Sequence, residues 1–336
     1  MEALSQSFRA LGDPTRLRLL RLLAAAPLNV SELVSVVGVA QSSVSHHLSK
    51  LRQLGLVLSA GFFGFYGHAG FLRGLVESGV QPVAYGGTSA GGLVSAYAAA
   101  GMAPEALEAL LLGLRRERFW DPDVLQGLAS AARGGPGAMG LLAGRRFSAL
   151  LESTLPVRHF EECKTPLLLV AADVRHARSV ALTGGELAPA VLATCAYPGL
   201  FRPVELGGGL LWDGGLVDKA PALALSRHLP GALDAVLVHF LPTRGDTELG
   251  GPFAYARGMA AGVAALRRSH LELQLELLAL QGLDVYLVVS ELPPVSPRAL
   301  AQGAKAALAG RKAAAAALAA PAVATRHRGQ PPFSVE

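Results

Sequence analysis

The chain has 336 residues, of which 51% are hydrophobic and 16% charged, with a formal net charge of +5. This is ample apolar content for a large buried core; the length fits two domains and the composition excludes disorder on a large scale. Charges interrupt the apolar stretch of the first twenty residues, no uninterrupted apolar run approaches the ~18 residues of a membrane span, and Cys163 and Cys195 lie far apart without metal-ligand spacing. The expectation is a cytoplasmic protein with buried thiols, without metal or cofactor, whose membrane contact would be peripheral, at the inner membrane face.

Residues 1–57 form a unit with its own pattern. Leu4, Phe8 and Leu11, then Leu17, Leu19, Leu20, Leu22 and Leu23, predict two amphipathic helices interrupted at Gly12-Asp13-Pro14, where Asp13 can cap and Pro14 can start the second. The run VSELVSVVGVAQSSVSHHLSKLRQLGLV predicts a helix, a tight turn at Gly38 and a second helix from Gln41 with Val44, Leu48 and Leu51 inward, a helix-turn-helix pattern. Its outward side offers Gln41, Ser42, Ser45, His46, Ser49, Lys50 and Arg52, able to hydrogen-bond bases and phosphates. The plainer alternative is a solvated polar face on a helical bundle. Residues 1–60 hold six Lys/Arg and three Asp/Glu, in mild support of nucleic-acid contact.

Next comes an apolar strand, Leu56–Leu58, a loop with Gly61 and Gly64, and a helix carrying Leu72, Leu75 and Val76. Val83, Ala84 and Tyr85 read as a buried strand that runs into Gly87-Thr88-Ser89-Ala90-Gly91, followed by a helix of small and apolar residues. A Gly-x-Ser-x-Gly turn between strand and helix is a nucleophile elbow: it exposes the serine oxygen, and only very small flanking residues let the two arms approach. Ser89 is therefore the candidate nucleophile. In a chain with 39 glycines the pentad alone would suit any tight turn, but the neighbouring loop gathers backbone N–H groups where an oxyanion could sit. That loop could also be a plain β-to-α turn; its spacing does not give the dinucleotide pattern G-x-G-x-x-G.

Downstream, Pro104–Leu114 and Phe147–Leu155 predict helices, and the Gly- and Ala-rich stretch 127–144 between them predicts a mobile loop, a candidate lid. Leu167–Ala172 and Ala235–Phe240 are apolar runs suited to a sheet buried on both faces, and His239 lies near the end of the second. Tyr255–Leu280 predicts a long amphipathic helix with Arg267, Arg268 and His270 clustered, suited to ordinary packing and also to a membrane surface. Ala299–Ala320 should be helical by propensity, and Thr325–Glu336 a loose tail.

Four motifs in order, the Gly loop, the GTSAG elbow, the segment ATCAYPGLFRPV (Ala193 to Val204) and WDGGLVDKAP with Asp213, Gly214 and Gly215, make the chain from roughly Leu56 to Leu318 resemble the patatin-like phospholipases. The family usually has three consecutive glycines where this chain has Ser59, Ala60 and Gly61. The resemblance implies an α/β fold, a three-layer α/β/α sandwich built on the elbow, behind the small all-α helix-turn-helix domain: residues 1–57, 58–320 and a tail from 321 to 336. It also implies a lipid acyl hydrolase in which Asp213, not a histidine, takes the Ser89 proton, with an acyl-enzyme at Ser89. Backbone N–H groups of Gly61, Phe62, Gly64 and Ala90 are the expected oxyanion donors, with Gly87, Gly91, Gly214 and Gly215 shaping the turns. The first unit, with ALGDPTRLRLLRLL and SVSHHLSKLRQLGLV, resembles the N-terminal part of ArsR-type winged-helix repressors, without the wing and without the cysteines of metal-sensing members.

Two alternatives stay open at this point. One is an α/β-hydrolase esterase with a Ser89, Asp213, His239 triad, although the serine comes early for a fold with several strands before its elbow. The other is a transcription regulator whose second half binds an acyl ligand. The partners these readings imply are an acyl-ester lipid, a membrane surface, duplex DNA through residues 1–57 and a second copy of the chain.

Overall fold

A computed structural model describes residues 30–38, 53–123, 125, 129, 132, 139–242 and 254–319. Outside the described residues lie the expected recognition helix with Gln41, Ser42, Ser45, His46 and Lys50, the first two predicted helices, most of the Gly-rich stretch 127–144 and the tail from 321. Of the N-terminal unit, α1 (Val30–Val37) is the first helix of the expected pair. Gly38 ends it in the left-handed region (φ 72), its N–H donating to the Val34 carbonyl at 2.9 Å, which is the tight turn the sequence places there.

The rest of the chain runs β1 (Leu54–Leu58), α2 (Phe65–Glu77), β2 (Ala84–Thr88), α3 (Ala90–Ala99), α4 (Pro104–Leu112), β3 (Gly140–Leu142), α5 (Arg145–Thr154), β4 (Leu167–Asp173), β5 (Arg178–Leu182), α6 (Leu187–Thr194), β6 (Gly199–Phe201), β7 (Val204–Leu206), β8 (Gly209–Asp213), α7 (Ala222–His228), β9 (Ala235–Phe240), α8 (Ala254–Leu280), β10 (Asp284–Val289) and α9 (Gly303–Ala319). One sheet has the order β10-β9-β1-β2-β4-β8-β7, with β5 also paired to β4. Its first five strands are parallel, while β5 and β8 run antiparallel to β4 and β7 antiparallel to β8.

Alternation along the buried strands sorts their side chains into two layers. Leu56, Leu58, Leu167, Leu169 and Leu237 pack with Phe71 and Leu72 of α2, Val94 of α3 and Ala306 and Ala314 of α9. Their neighbours Val57, Leu168, Val170, Val236 and Val238 pack with Leu223 and Leu225 of α7 and Leu271, Leu275 and Leu278 of α8. The result is the expected three-layer sandwich. The Ala-rich α9 lies where it does because small residues let it touch α2: a Cβ on Gly70 would overlap the Ala307 carbonyl, and one on Gly310 the Gly67 carbonyl.

Two features differ from the sequence reading. The antiparallel end of the sheet comes from short strands without a continuous apolar run; β7 and β8 form a hairpin over Gly207-Gly208, both at positive φ (57 and 78). The end of the predicted mobile loop is a strand, since β3 pairs in parallel with β6. The strand β1, whose apolar residues Leu56–Leu58 the sequence reads as a strand, is interior to the sheet, paired with β2 on one side and β9 on the other. Opposite its buried face, α8 exposes Leu266, Leu273, Leu277 and Leu280. No helix of the described residues is long and apolar enough to cross a membrane.

Candidate active site

The turn from β2 into α3 holds Ser89 at φ 54 and ψ −122, a conformation that L residues avoid unless the surroundings impose it. The surroundings here leave no alternative. A Cβ on Gly87 would lie 2.6 Å from the Gly91 carbonyl oxygen, and one on Gly91 would overlap the Leu58 carbonyl of β1, so both glycines are needed to fold the arms together. The Ser89 N–H donates to Thr194 Oγ1 at 3.0 Å, and the Thr194 hydroxyl donates to the Val170 carbonyl at 2.5 Å, which ties the elbow to α6 and β4.

Sheet register brings the second functional residue to it. Thr88, the last residue of β2, pairs with Val170 of β4, and the next residue of β4, Ala171, pairs with Asp213 at the end of β8. One edge of β4 thus hands over from the strand that leads into the serine to the strand that ends on the aspartate. The Ser89 side chain lies close enough to the Asp213 carboxyl to favour its charged form, and both residues line the same space. Asp213 Oδ1 also accepts from the Gly215 N–H at 2.7 Å, and a Cβ on Gly214 would overlap the Val170 carbonyl, so the two glycines after the aspartate are required by its turn. Burial pushes the Asp213 carboxyl up to about 6, against the opposing pull of the Ser89 and Gly215 hydrogen bonds and the Arg267 charge.

The loop after β1 closes the site. The Ala60 N–H donates to the Lys219 carbonyl at 2.7 Å, and Phe62 takes φ 30 with its ring half exposed, against Phe63 and Tyr197. All four expected oxyanion donors, Gly61, Phe62, Gly64 and Ala90, line the space around Ser89, but the Gly64 N–H is taken by the Gly61 carbonyl. That internal bond closes a short helical turn and removes Gly64 from the donor set.

Behind the loop lies a chain of buried polar groups that the sequence did not announce. His68 Nε2 is 2.8 Å from the Ser59 carbonyl, His68 Nδ1 is 2.9 Å from His239 Nδ1, and His239 Nε2 is 2.9 Å from Ser290 Oγ. One tautomer assignment satisfies every atom: Ser290 donates to His239, His239 donates to His68, and His68 donates to Ser59. Burial holds His68 down at about 4 and His239 well below its usual value, so both rings are neutral. Both nitrogens of His239 are occupied, its ring stacks on Phe71 at 3.9 Å, and it is fully buried; it faces neither Ser89 nor Asp213. Ser89, Asp213 and His239 therefore do not form a triad.

Two spaces meet at Ser89 and Asp213. One is a cavity of about 110 Å³ walled by apolar side chains that include Phe63, Leu93, Leu111, Phe119, Phe147 and Leu150, with Cys195 among its lining. The other is a cleft of about 950 Å³ that runs past Gly61, Lys219, Arg267, Ser290 and Leu292. Thr194, Lys219 and the pairing of His239 with His68 escaped sequence reading. For Thr194 and Lys219 the available signal was their place inside the two motif segments that frame Asp213.

Comparison with known proteins agrees with this geometry. The family model described as Patatin-like phospholipase matches residues 56–226, half of the chain, and the model described as Bacterial regulatory protein, arsR family matches residues 13–59. An uncharacterized NTE family protein of Mycobacterium tuberculosis (strain ATCC 25618 / H37Rv) is 30% identical over 198 residues, which are 58% of this chain and 32% of that protein. The HTH-type transcriptional regulator NmtR of the same strain is 44% identical over 54 residues, 16% of this chain and 45% of that protein. Among solved structures, VipD from Legionella pneumophila aligns with a TM-score of 0.45 and 15% identity, over 80% of this chain and 67% of that one. The chain spans about a third of the length of the first of these relatives. It belongs to the patatin-like phospholipase family.

Proposed function

We propose, from that membership, that the chain hydrolyses the carboxylic-ester bond of an acyl lipid with Ser89 as nucleophile and Asp213 as its base. The observation that carries this is the placing of Ser89, strained at its elbow, beside the buried Asp213 at the junction of an apolar cavity and an open cleft. A serine hydroxyl needs a base within hydrogen-bond reach, and a carboxylate serves better as burial raises its pKa toward the working pH. Asp213 takes the hydroxyl proton as Ser89 Oγ attacks the ester carbonyl. The N–H groups of Gly61, Phe62 and Ala90 hold the oxyanion, each worth ~3 kcal/mol if they act like other such donors. The protonated Asp213 then gives its proton to the departing alcohol. Water then attacks the acyl-enzyme with Asp213 again as base, and the proton returns to Ser89 Oγ as the fatty acid leaves. The acyl chain fits the apolar cavity, and the alcohol part fits the cleft.

In this reading the catalytic body begins at Leu54, because β1 is part of the sheet. The segment matched by the arsR model is a DNA-binding module that acts as a dimer, since without a wing each monomer makes fewer phosphate contacts. The test of the hydrolase is direct: the full chain, incubated with p-nitrophenyl butyrate and with phospholipid, should release nitrophenol and free fatty acid. A trapped acyl group on any residue other than Ser89 would overturn the assignment.

A further inference from the structure

The longest helix carries a second apolar stripe that the sheet does not use. Through Leu271, Gln274, Leu275 and Leu278, α8 is buried in the body of the protein. A different set recurs every seven residues: Met259, Leu266, Leu273 and Leu280. Val263, His270 and Leu277 follow the first three at a spacing of four, so the stripe holds six apolar side chains and one histidine, and no Asp, Glu, Lys or Arg. Met259, Leu266, Leu273, Leu277 and Leu280 are each between 43% and 84% exposed. A helix that only covers a sheet needs one apolar face. A second one, with the 3.5-residue period of a coiled-coil seam kept for three heptads, suits a particular neighbour: another helix of the same period. Among the described residues the next longest helix, α9, has 17 residues and packs its small residues on α2, so the helix that matches is α8 of a second copy.

We propose that two copies of the chain pair through this stripe, α8 against α8, about a two-fold axis. The five exposed side chains leave on the order of 550 Å² accessible per copy, so the pair would bury about 1,100 Å², above the ~1,000 Å² that a specific interface should clear. His270 is the single polar residue of the seam, a feature that fixes register at some cost in affinity. A bilayer surface fits the stripe less well. A helix lying among head groups has a broad apolar face edged by Lys and Arg, whereas this seam is narrow and its outer flank carries the Arg268–Glu272 ion pair at 3.1 Å together with Glu276. The pairing gives the dimer assigned above to the helical module a contact in the catalytic body. It is measured without DNA and without substrate, so its failure is distinguishable from the failure of either reading.

Sedimentation equilibrium of the full chain should show a monomer–dimer equilibrium with a dissociation constant in the micromolar range or tighter. A variant with Leu266→Glu and Leu273→Glu, both at exposed helix positions and with folding checked by circular dichroism, should weaken it by at least ~100-fold, because each change puts an unpaired carboxylate into the seam. Glu272→Ala, on the flank, should change it by less than about threefold. Hydrogen exchange locates the contact: amides of α8 should exchange more slowly as protein concentration rises through the dissociation constant. A chain that stays monomeric at about 100 μM, a dimer that the paired substitution weakens by less than about threefold, or slowing confined to segments other than α8 would each overturn the proposal. So would a monomeric chain that binds vesicles of phosphatidylcholine and phosphatidylglycerol and loses that binding in the paired variant, since the stripe would then belong to a membrane.

Discussion

Two buried polar pairs lie near the carboxyl ends of the parallel strands, and they have opposite fates. His239 pairs in register with Leu58 of β1, and Leu58 pairs on its other side with Gly87 of β2, so the histidine is two strands, roughly 10 Å, from the elbow. The His68–His239 pair is enclosed on all sides, while the Ser89–Asp213 pair, though 9% and 3% exposed, opens to a cavity and a cleft. The same physical cause acts on both. Burial disfavours charge, so it raises the aspartate to about 6 and lowers His68 to about 4. At the open pair this yields a base matched to near-neutral pH; at the closed pair it yields neutral rings that hold the loop after β1. Access, not residue type, separates the pair proposed to be catalytic from the enclosed one.

The comparison breaks most plainly at the open pair. Ser89→Ala and Asp213→Asn should each lower ester hydrolysis by about 10³-fold or more and by similar amounts, because members of one catalytic unit are not additive. An Asp213→Asn enzyme with a tenth of the normal rate would show that another group takes the proton. Next in size is the acid limb of the rate. Asp213 must be ionised to act as a base, so with its carboxyl at about 6 the reversible rate at pH 5 should be roughly a tenth of the plateau. Arg267→Gln should move that limb upward, since it removes a charge that favours the carboxylate; initial rates from pH 4.5 to 8 measure both.

The two pairs also differ in how far the sequence revealed them. Ser89, Asp213 and the glycines around them were legible because each answers a local need: Gly91 must let α3 pass the Leu58 carbonyl, and Gly214 must clear Val170. Such steric demands leave fixed short motifs. The three-layer order was legible for a similar reason, as Leu167–Ala172 and Ala235–Phe240 are apolar on both faces. The histidine network had no such signature: His68 is nine residues from Ser59 but 171 from His239, and their contact exists only because β9 lies beside β1. The hairpin of β7 and β8 was missed because short antiparallel strands at a sheet edge carry little apolar periodicity. Gly64 was misread as a donor because a glycine in a loop announces freedom of the backbone, and not which carbonyl its N–H will meet.

A smaller effect is expected at the closed pair. His239→Ala, assayed per folded molecule with folding checked by circular dichroism, should change the rate by less than ~10-fold, since the ring orients the loop and exchanges no proton with substrate. A loss equal to that of Ser89→Ala would make His239 part of the catalytic unit.

The last prediction concerns stability and should leave the neutral-pH rate of the folded enzyme almost untouched at the closed pair. His68 in the unfolded chain takes a proton near 6.5, but in the folded protein only near 4, so between those values the unfolded state binds more protons and folding stability falls as pH drops, by about 3 kcal/mol in all. Asp213 has the reverse sign. Its folded carboxyl protonates near 6 and its unfolded one near 3.8, so stability rises as pH drops through that window, again by about 3 kcal/mol. His239, also held well below its usual value, adds to the His68 contribution, so Asp213 opposes the pair without cancelling it and the unmutated protein should lose some stability between pH 6.5 and 4. Removing either one should uncover the other. Asp213→Asn should be more stable than the unmutated protein at pH 7, because a buried charge is gone, and should lose stability steeply on acidification. A His68→Gln, His239→Gln double variant should be weaker at pH 7, where buried donors lose their partners, yet should gain stability as pH falls toward 4.5. Urea unfolding midpoints at four pH values for the three proteins measure the slopes; parallel slopes would show that the two pairs do not titrate as their burial demands.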